Sequence, residues 1–162
     1  MTEVFIGLGS NLDEPLVQIK KALEHLQQLE SVSFIKCSDY YRSAPMGPQD
    51  QPDYINAVVK VTTELAAEDL LDALQEIENK HGRVRSQHWG ARTLDLDILL
   101  FGDEVINTER LTVPHYGISE RNFVLYPLSD LVRPDFAIPG AGKLSELLNA
   151  CRMNGIERLT EL

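Results

Sequence analysis

Two stretches of this chain carry apolar residues at helical spacing, and each lies between runs that read as strands. In the first, Leu16, Ile19, Leu23, Leu26 and Leu29 recur with Lys20 in the same spacing; in the second, Leu70, Leu71, Leu74 and Ile77 do so. A stripe of this kind on an amphipathic helix has to be buried against another element. The neighbouring runs, residues 4–8, 32–41, 56–65 and 94–101, are short, apolar or rich in Val and Thr, as strands are. The order is therefore strand, helix, strand, strand, helix, strand, so the two stripes are expected to lie on a sheet.

That order predicts an α+β chain with a ferredoxin-like βαββαβ core, an antiparallel sheet with helices packed on it. Gly9-Ser10-Asn11 reads as a turn after the first strand, and Asp13-Glu14-Pro15 opens the first helix, which ends near Glu30. Residues 44–52 hold three prolines and a glycine and read as a long loop. His81-Gly82 stops the second helix, which spans residues 67–80. Gly102-Asp103 reads as a hairpin turn with residues 104–106 returning, and further helices are expected around 120–131 and 143–150. With 162 residues and no repeat, linker or low-complexity segment, residues 1–162 read as one domain.

The net charge of −10 argues against nucleic acid and anionic membrane as partners, because both need broad positive surfaces. Residues 82–92 are a local exception, with three arginines and no acid, and that contrast points to a small phosphate ligand. Cys37 and Cys151 are far apart and in no metal or redox spacing, so two idle thiols are expected. The N-terminus has no basic region ahead of a long apolar run, and nowhere do about 18 uncharged apolar residues follow one another. The expected setting is the cytoplasm.

Asp95-Leu96-Asp97 begins an apolar strand, and period-two alternation sends both carboxylates to one face, roughly 7 Å apart, while Leu94, Leu96 and Ile98 take the other. Two like charges so placed either raise one pKa or are relieved by a divalent cation; the plain alternative is a solvated pair on an edge strand. Arg83, Arg85 and Arg92 lie just upstream. Guanidinium groups suit phosphate from one side as carboxylate-held Mg²⁺ does from the other, although such a loop can also simply salt-bridge an acidic surface. Arg110, Thr112, His115 and Arg121 add further donors, while His25 and His81 read as structural. No G-x-x-x-x-G-K-[ST] loop occurs, and Gly7-Leu8-Gly9-Ser10-Asn11-Leu12 lacks the third glycine of a dinucleotide fingerprint. From the residues alone the reading stops at a metal-assisted nucleotide enzyme.

Four blocks in order carry a resemblance. They are Gly9-Ser10-Asn11-Leu12; the Gly47-Pro48-Gln49-Asp50-Gln51-Pro52 loop leading to Tyr54 and Asn56; the run from Trp89-Gly90 through Arg92-Thr93-Leu94-Asp95-Leu96-Asp97-Ile98-Leu99; and Val113-Pro114-His115-Tyr116. Over about residues 4–131 the chain resembles the 6-hydroxymethyl-7,8-dihydropterin pyrophosphokinase family of folate biosynthesis. The resemblance implies diphosphate transfer from MgATP to the pterin hydroxymethyl oxygen with release of AMP, on a ferredoxin-like scaffold with two Mg²⁺ ions held by Asp95 and Asp97. It implies that Tyr54 and Phe123 sandwich the pterin ring, that Asn56 reads its polar edge, and that backbone groups of Ser43, Ala44 and Met46 complete that edge. On the nucleotide side it implies Glu78, Arg83, Trp89, Arg92, Ile98, Arg110, Thr112, His115, Tyr116 and Arg121, with Arg83 and Arg92 bearing on the transition state. The partners so implied are ATP and the pterin, for a monomer.

Related sequences often add Lys or Arg between Arg85 and Trp89, where this chain has Ser86-Gln87-His88. Residues 82–91 are expected to close as a lid over bound ligands. The tail after Leu131 matches only loosely and receives no catalytic role. Rival readings are a non-catalytic nucleotide sensor and a metal-dependent nucleotide hydrolase.

Overall fold

A computed structural model describes residues 1–10, 14–43, 53–80, 94–115, 118, 122–151 and 156–159, with Asn122 and Phe123 described through their backbone. The chain opens with β1 (Thr2–Ser10), α1 (Pro15–Gln28), β2 (Val32–Cys37), β3 (Tyr41–Ser43) and β4 (Tyr54–Thr63). It continues with α2 (Ala67–Lys80), β5 (Asp95–Phe101), β6 (Ile106–Asn107), β7 (Thr112–Val113) and α3 (Asn122–Ser129). It closes with β8 (Ala137–Ile138), β9 (Gly142–Lys143), α4 (Leu144–Ala150) and β10 (Ile156–Arg158). The expected α+β class is what this element order shows.

The main sheet has six strands in the order β10-β3-β4-β1-β5, with β2 also paired to β4, and every pairing is antiparallel. Both helical crossovers skip a strand. The α1 connection leaves β1 and returns on the far side of β4, and the α2 connection leaves β4 and returns on the far side of β1. The stripes on these helices explain why. Ile19, Leu23 and Leu26 of α1 and Leu70, Leu74 and Ile77 of α2 are buried in one cluster with Val4, Ile6 and Leu8 of β1, Val59 and Val61 of β4, and Leu96 and Ile98 of β5. Lys20, counted in the first stripe, stays exposed, and Ala22 takes a buried place instead. The opposite face of the sheet buries Phe5, Val58 and Leu99 against Val124, Leu125 and Leu128 of α3 and Leu144 of α4.

Three local readings are corrected. Gly9 and Ser10 belong to β1, where they pair with Asn56 and Ile55, so the strand outruns the expected turn. Residues 32–41 form two strands, because at Ser38 the side chain enters the ladder: Val58 N–H donates to Ser38 Oγ at 2.9 Å while Ser38 N–H donates to Val58 C=O at 2.8 Å. The chain steps sideways there and resumes pairing with β4 at Tyr41. Residues 104–106 do not return along β5. Ile106 pairs with Val113 in a separate β6–β7 hairpin, since the outer side of β5 is taken by Glu78 and by His115, whose N–H donates to Leu99 C=O at 3.0 Å. The last two helices fall inside their expected ranges. The loop at residues 44–52 and the segment 82–91 lie outside the described residues.

Candidate active site

Strand register brings the expected residues to one end of the sheet. Asn56 lies opposite Gly9 in the β4–β1 pairing, and Gly9 lies opposite Asp95 in the β1–β5 pairing. One row therefore runs Asn56–Gly9–Asp95 across three strands, and the next inward runs Val58–Gly7–Asp97. Residues opposite one another share a face, so Asn56, Asp95 and Asp97 all stand on the α3 side. At two strand spacings, Asn56 and Asp95 are about 10 Å apart at the backbone.

Glycine lets neighbouring side chains approach the β1 backbone closely at this end of the sheet. A Cβ placed at Gly9 would meet Asn56 Oδ1 at 3.2 Å and Tyr54 Cδ1 at 3.7 Å. One at Gly7 would press Leu99 Cδ2 at 3.3 Å, so there the space is already filled by leucine. Over Gly7 the neighbour is apolar, and over Gly9 it is the Asn56 amide and the Tyr54 ring, so Gly9 marks the passage from the leucine-packed part of the sheet to its polar end, with Asn56 on one side and Asp95 on the other. The Asn56 side is organised by a buried hydrogen bond of 2.6 Å from Asn56 Nδ2 to Ser43 Oγ. That bond orients the amide and leaves Asn56 Oδ1 toward Gly9. Tyr54, half-buried, stands two residues along on the same face.

On the carboxylate side Asp95 is half-buried and Asp97 exposed, while Leu96 between them is in the core, as alternation predicts. Glu78 is only 2% exposed and accepts the Leu96 N–H at 2.9 Å through Oε2. A buried carboxylate from α2 thereby holds the backbone between the two aspartates. Since Leu96 N–H faces away from β1, alternation turns the backbone of Ile98 the same way, while the Ile98 side chain is in the core. Any nucleotide contact from Ile98 falls to its backbone. His115, next to β5 through Leu99, borders that outer edge. Thr112 is exposed on β7, and Arg110, by the turn of the β6–β7 hairpin, pairs with Asp72 and Glu68 of α2.

The donor set suits a hard divalent cation: two carboxylates on one face, beside a glycine. Among the described residues no cluster of three or more His, Cys, Asp and Glu stands ready to enclose a metal. Mg²⁺ binds in this manner, through one or two carboxylates plus water and phosphate oxygens. Ala44, Met46, Arg83, Arg85, Trp89, Arg92, Tyr116 and Arg121 lie outside the described residues, as does the side chain of Phe123. Gly9, at the centre of this row, was not among the site residues expected from the sequence. Its signal was an alternation of Gly7 and Gly9 in an otherwise apolar strand, which marks close approach of a ligand or another chain segment.

An α+β sheet that sets a buried amide on one side of a glycine and paired carboxylates on the other has the donor types that phosphoryl-transfer enzymes use. The model of the family "7,8-dihydro-6-hydroxymethylpterin-pyrophosphokinase (HPPK)" matches residues 5–133. The chain is 53% identical over 156 residues to the 2-amino-4-hydroxy-6-hydroxymethyldihydropteridine pyrophosphokinase of Pseudomonas aeruginosa, covering 96% of each chain. It is 50% identical over 148 residues to the Haemophilus influenzae enzyme of the same name, covering 91% of this chain and 92% of that one. This chain belongs to the HPPK family. Its fold also matches the wild-type HPPK-DHPS crystal structure from Plasmodium falciparum with pteroate, at a TM-score of 0.76 and 16% identity. The match covers 100% of this chain and 46% of that one, so the chain spans about half the length of that protein.

Proposed function

We propose that this protein transfers a diphosphate group from MgATP to the hydroxymethyl oxygen of 6-hydroxymethyl-7,8-dihydropterin, releasing AMP, as a step of folate biosynthesis. Family membership supports the activity, and the Asn56–Gly9–Asp95 row carries its placement on this chain. Strand order β5-β1-β4-β2 supports assigning the core to the ferredoxin-like βαββαβ plan. No helix among the described residues is long and apolar enough to cross a membrane; the reading takes the protein as a cytoplasmic monomer acting on two small molecules.

In this reading the pterin lies over Gly9, its polar edge against Asn56 and the backbone of Ser43, Ala44 and Met46, with Tyr54 on one ring face and Phe123 on the other. A flat heterocycle is held this way by stacking plus edge hydrogen bonds. ATP follows the outer edge of β5, where the backbone of Ile98 is turned outward and where His115 and Thr112 lie near. Glu78 acts on the nucleotide side through the β5 backbone it holds. Asp95 and Asp97 would hold two Mg²⁺ ions, which supply charge neutralisation to the polyphosphate. The pterin oxygen forms a bond to the β-phosphorus, the bond from that phosphorus to the α,β-bridging oxygen breaks with its electron pair leaving on AMP, and the hydroxyl proton is released to solvent. Arg83 and Arg92 stabilise the charge as it moves to the departing AMP, and Arg85, Trp89, Arg110, Tyr116 and Arg121 complete the nucleotide site.

The test is to mix the protein with MgATP, with and without 6-hydroxymethyl-7,8-dihydropterin, and to measure AMP and pterin diphosphate. AMP and pterin diphosphate in equal amounts, only when pterin is present, are expected. AMP without pterin would mark a hydrolase, and binding without either product a sensor.

A further inference from the structure

Asp39, Tyr41, Asp130 and Arg158 meet toward the opposite edge of the sheet from the aspartates, and the chemistry above uses none of them. Tyr41 is fully buried. Its hydroxyl donates to Asp130 Oδ2 at 2.9 Å and accepts from Arg158 Nε at 3.0 Å and Nη2 at 2.7 Å. Arg158 Nη2 also donates to Asp130 Oδ1 at 2.9 Å, and Asp39 N–H donates to Asp130 Oδ2 at 3.2 Å. The guanidinium lies 5.3 Å from the Tyr41 ring centroid, within cation–π range. Burial pushes the Tyr41 phenol up to about 12, against the pull of the Arg158 hydrogen bond, so the phenol stays neutral and serves as donor and acceptor together.

The cluster joins three elements: β3 through Tyr41, the turn after α3 through Asp130, and β10 through Arg158. In register Arg158 is opposite Tyr41, and Tyr41 is opposite Asn56. The row that holds the site therefore extends as Arg158–Tyr41–Asn56–Gly9–Asp95 across five strands. Ser43, which receives the Asn56 amide, is two residues from Tyr41 on the same short strand. With only three residues, β3 has few ladder bonds of its own to set its height against β4.

Resting on the placement of the pterin proposed above, we infer that Arg158 is a positioning residue for the pterin: by gripping Tyr41 and Asp130 it fixes β3, and with it Ser43 against Asn56. The C-terminal segment, which shares no motif with the active site, thereby sets the Asn56 side of the site. Two forked bonds to the phenol and one to the carboxylate give a geometry that a lysine cannot reproduce. Arg158 is about half-exposed, so its ion pair adds little to global stability, and its effect is local.

The test compares Arg158→Ala, Arg158→Lys and Asn56→Ala by calorimetry, with pterin titrated in the presence of an unreactive ATP analogue and the analogue titrated alone. Arg158→Ala is expected to raise the pterin Kd and KM about fivefold to tenfold, with analogue Kd and saturating kcat within about twofold. Arg158→Lys is expected to raise the pterin Kd only about twofold to threefold. In the double variant the Arg158→Ala effect should vanish, because it acts through Asn56. Unchanged pterin affinity in both Arg158 variants, beside a loss in Asn56→Ala, would overturn the positioning role alone. Equal losses for both ligands would reduce it to general destabilisation. Unchanged affinity in Asn56→Ala would remove the pterin placement and the positioning role together.

Discussion

Gly9 is the residue on which the site depends most directly. Replacement by alanine puts a methyl group 3.2 Å from Asn56 Oδ1, tighter than an ordinary contact, and valine adds two more carbons there. Gly9→Val is expected to raise the pterin KM at least about tenfold while leaving the ATP KM within about twofold, a split that steady-state kinetics in each substrate will read. Asp95→Ala and Asp97→Ala are expected to lower kcat by roughly 10²–10³-fold or more with the circular dichroism spectrum unchanged. Near-normal turnover at saturating Mg²⁺ would remove the metal assignment. Away from the site, burial, and then the charge of Asp39, push the Cys37 thiol up to about 11. A raised pKa keeps the thiol protonated at pH 8, with roughly one thiolate in a thousand. Native alkylation by iodoacetamide should be about a hundredfold slower than in the urea-unfolded chain and should accelerate as pH rises toward 11. The carboxylate pair was legible in the sequence because alternation needs only one strand. Gly9 was not, because its importance comes from which residues stand opposite it on two other strands.

Among the elements, β5 carries most of the proposed chemistry while lying at the edge of the sheet. An edge strand is easily displaced, and here Glu78 accepts the Leu96 N–H and the His115 N–H donates to Leu99 C=O, which leaves the stretch between them, at Ile98, for a ligand. Glu78→Ala leaves a buried N–H unsatisfied, at a cost of about 1–3 kcal/mol, which thermal unfolding will detect. Because Leu96 separates Asp95 from Asp97, Mg²⁺ affinity should weaken along with stability. Glu78→Gln keeps an acceptor at the same reach and should retain most of both. Helices α1 and α2 were readable from their stripes, which reflect a face buried along its whole length. The break at Ser38 was not readable, since a serine hydroxyl replaces a ladder acceptor only after β4 has come alongside. The hairpin was misread for a related reason: Gly102 does turn the chain, with φ at 57°, but the edge it would return to is already occupied.

At the scale of the whole molecule, the strand–helix–strand–strand–helix–strand order was legible because each element announces itself by its own period. The five-strand row from Arg158 to Asp95 was not, since it joins residues from the two ends of the chain and the middle, and the small β8–β9 pair and β10 have too few residues to show a period. One feature of the sheet order bears on how the protein is made. β1 is made before both of its partners, yet it is a central strand, and those partners, β4 and β5, end at residues 63 and 101. At roughly 5–20 residues per second, an apolar strand waits several seconds for its first neighbour and longer for its second. During that interval α1, made directly after β1, can shelter Val4, Ile6 and Leu8, and a nascent chain halted before residue 95 carries β1 without its β5 partner. Such arrested chains should be degraded by added protease far faster than chains halted after residue 133, when β5 and α3 are both complete.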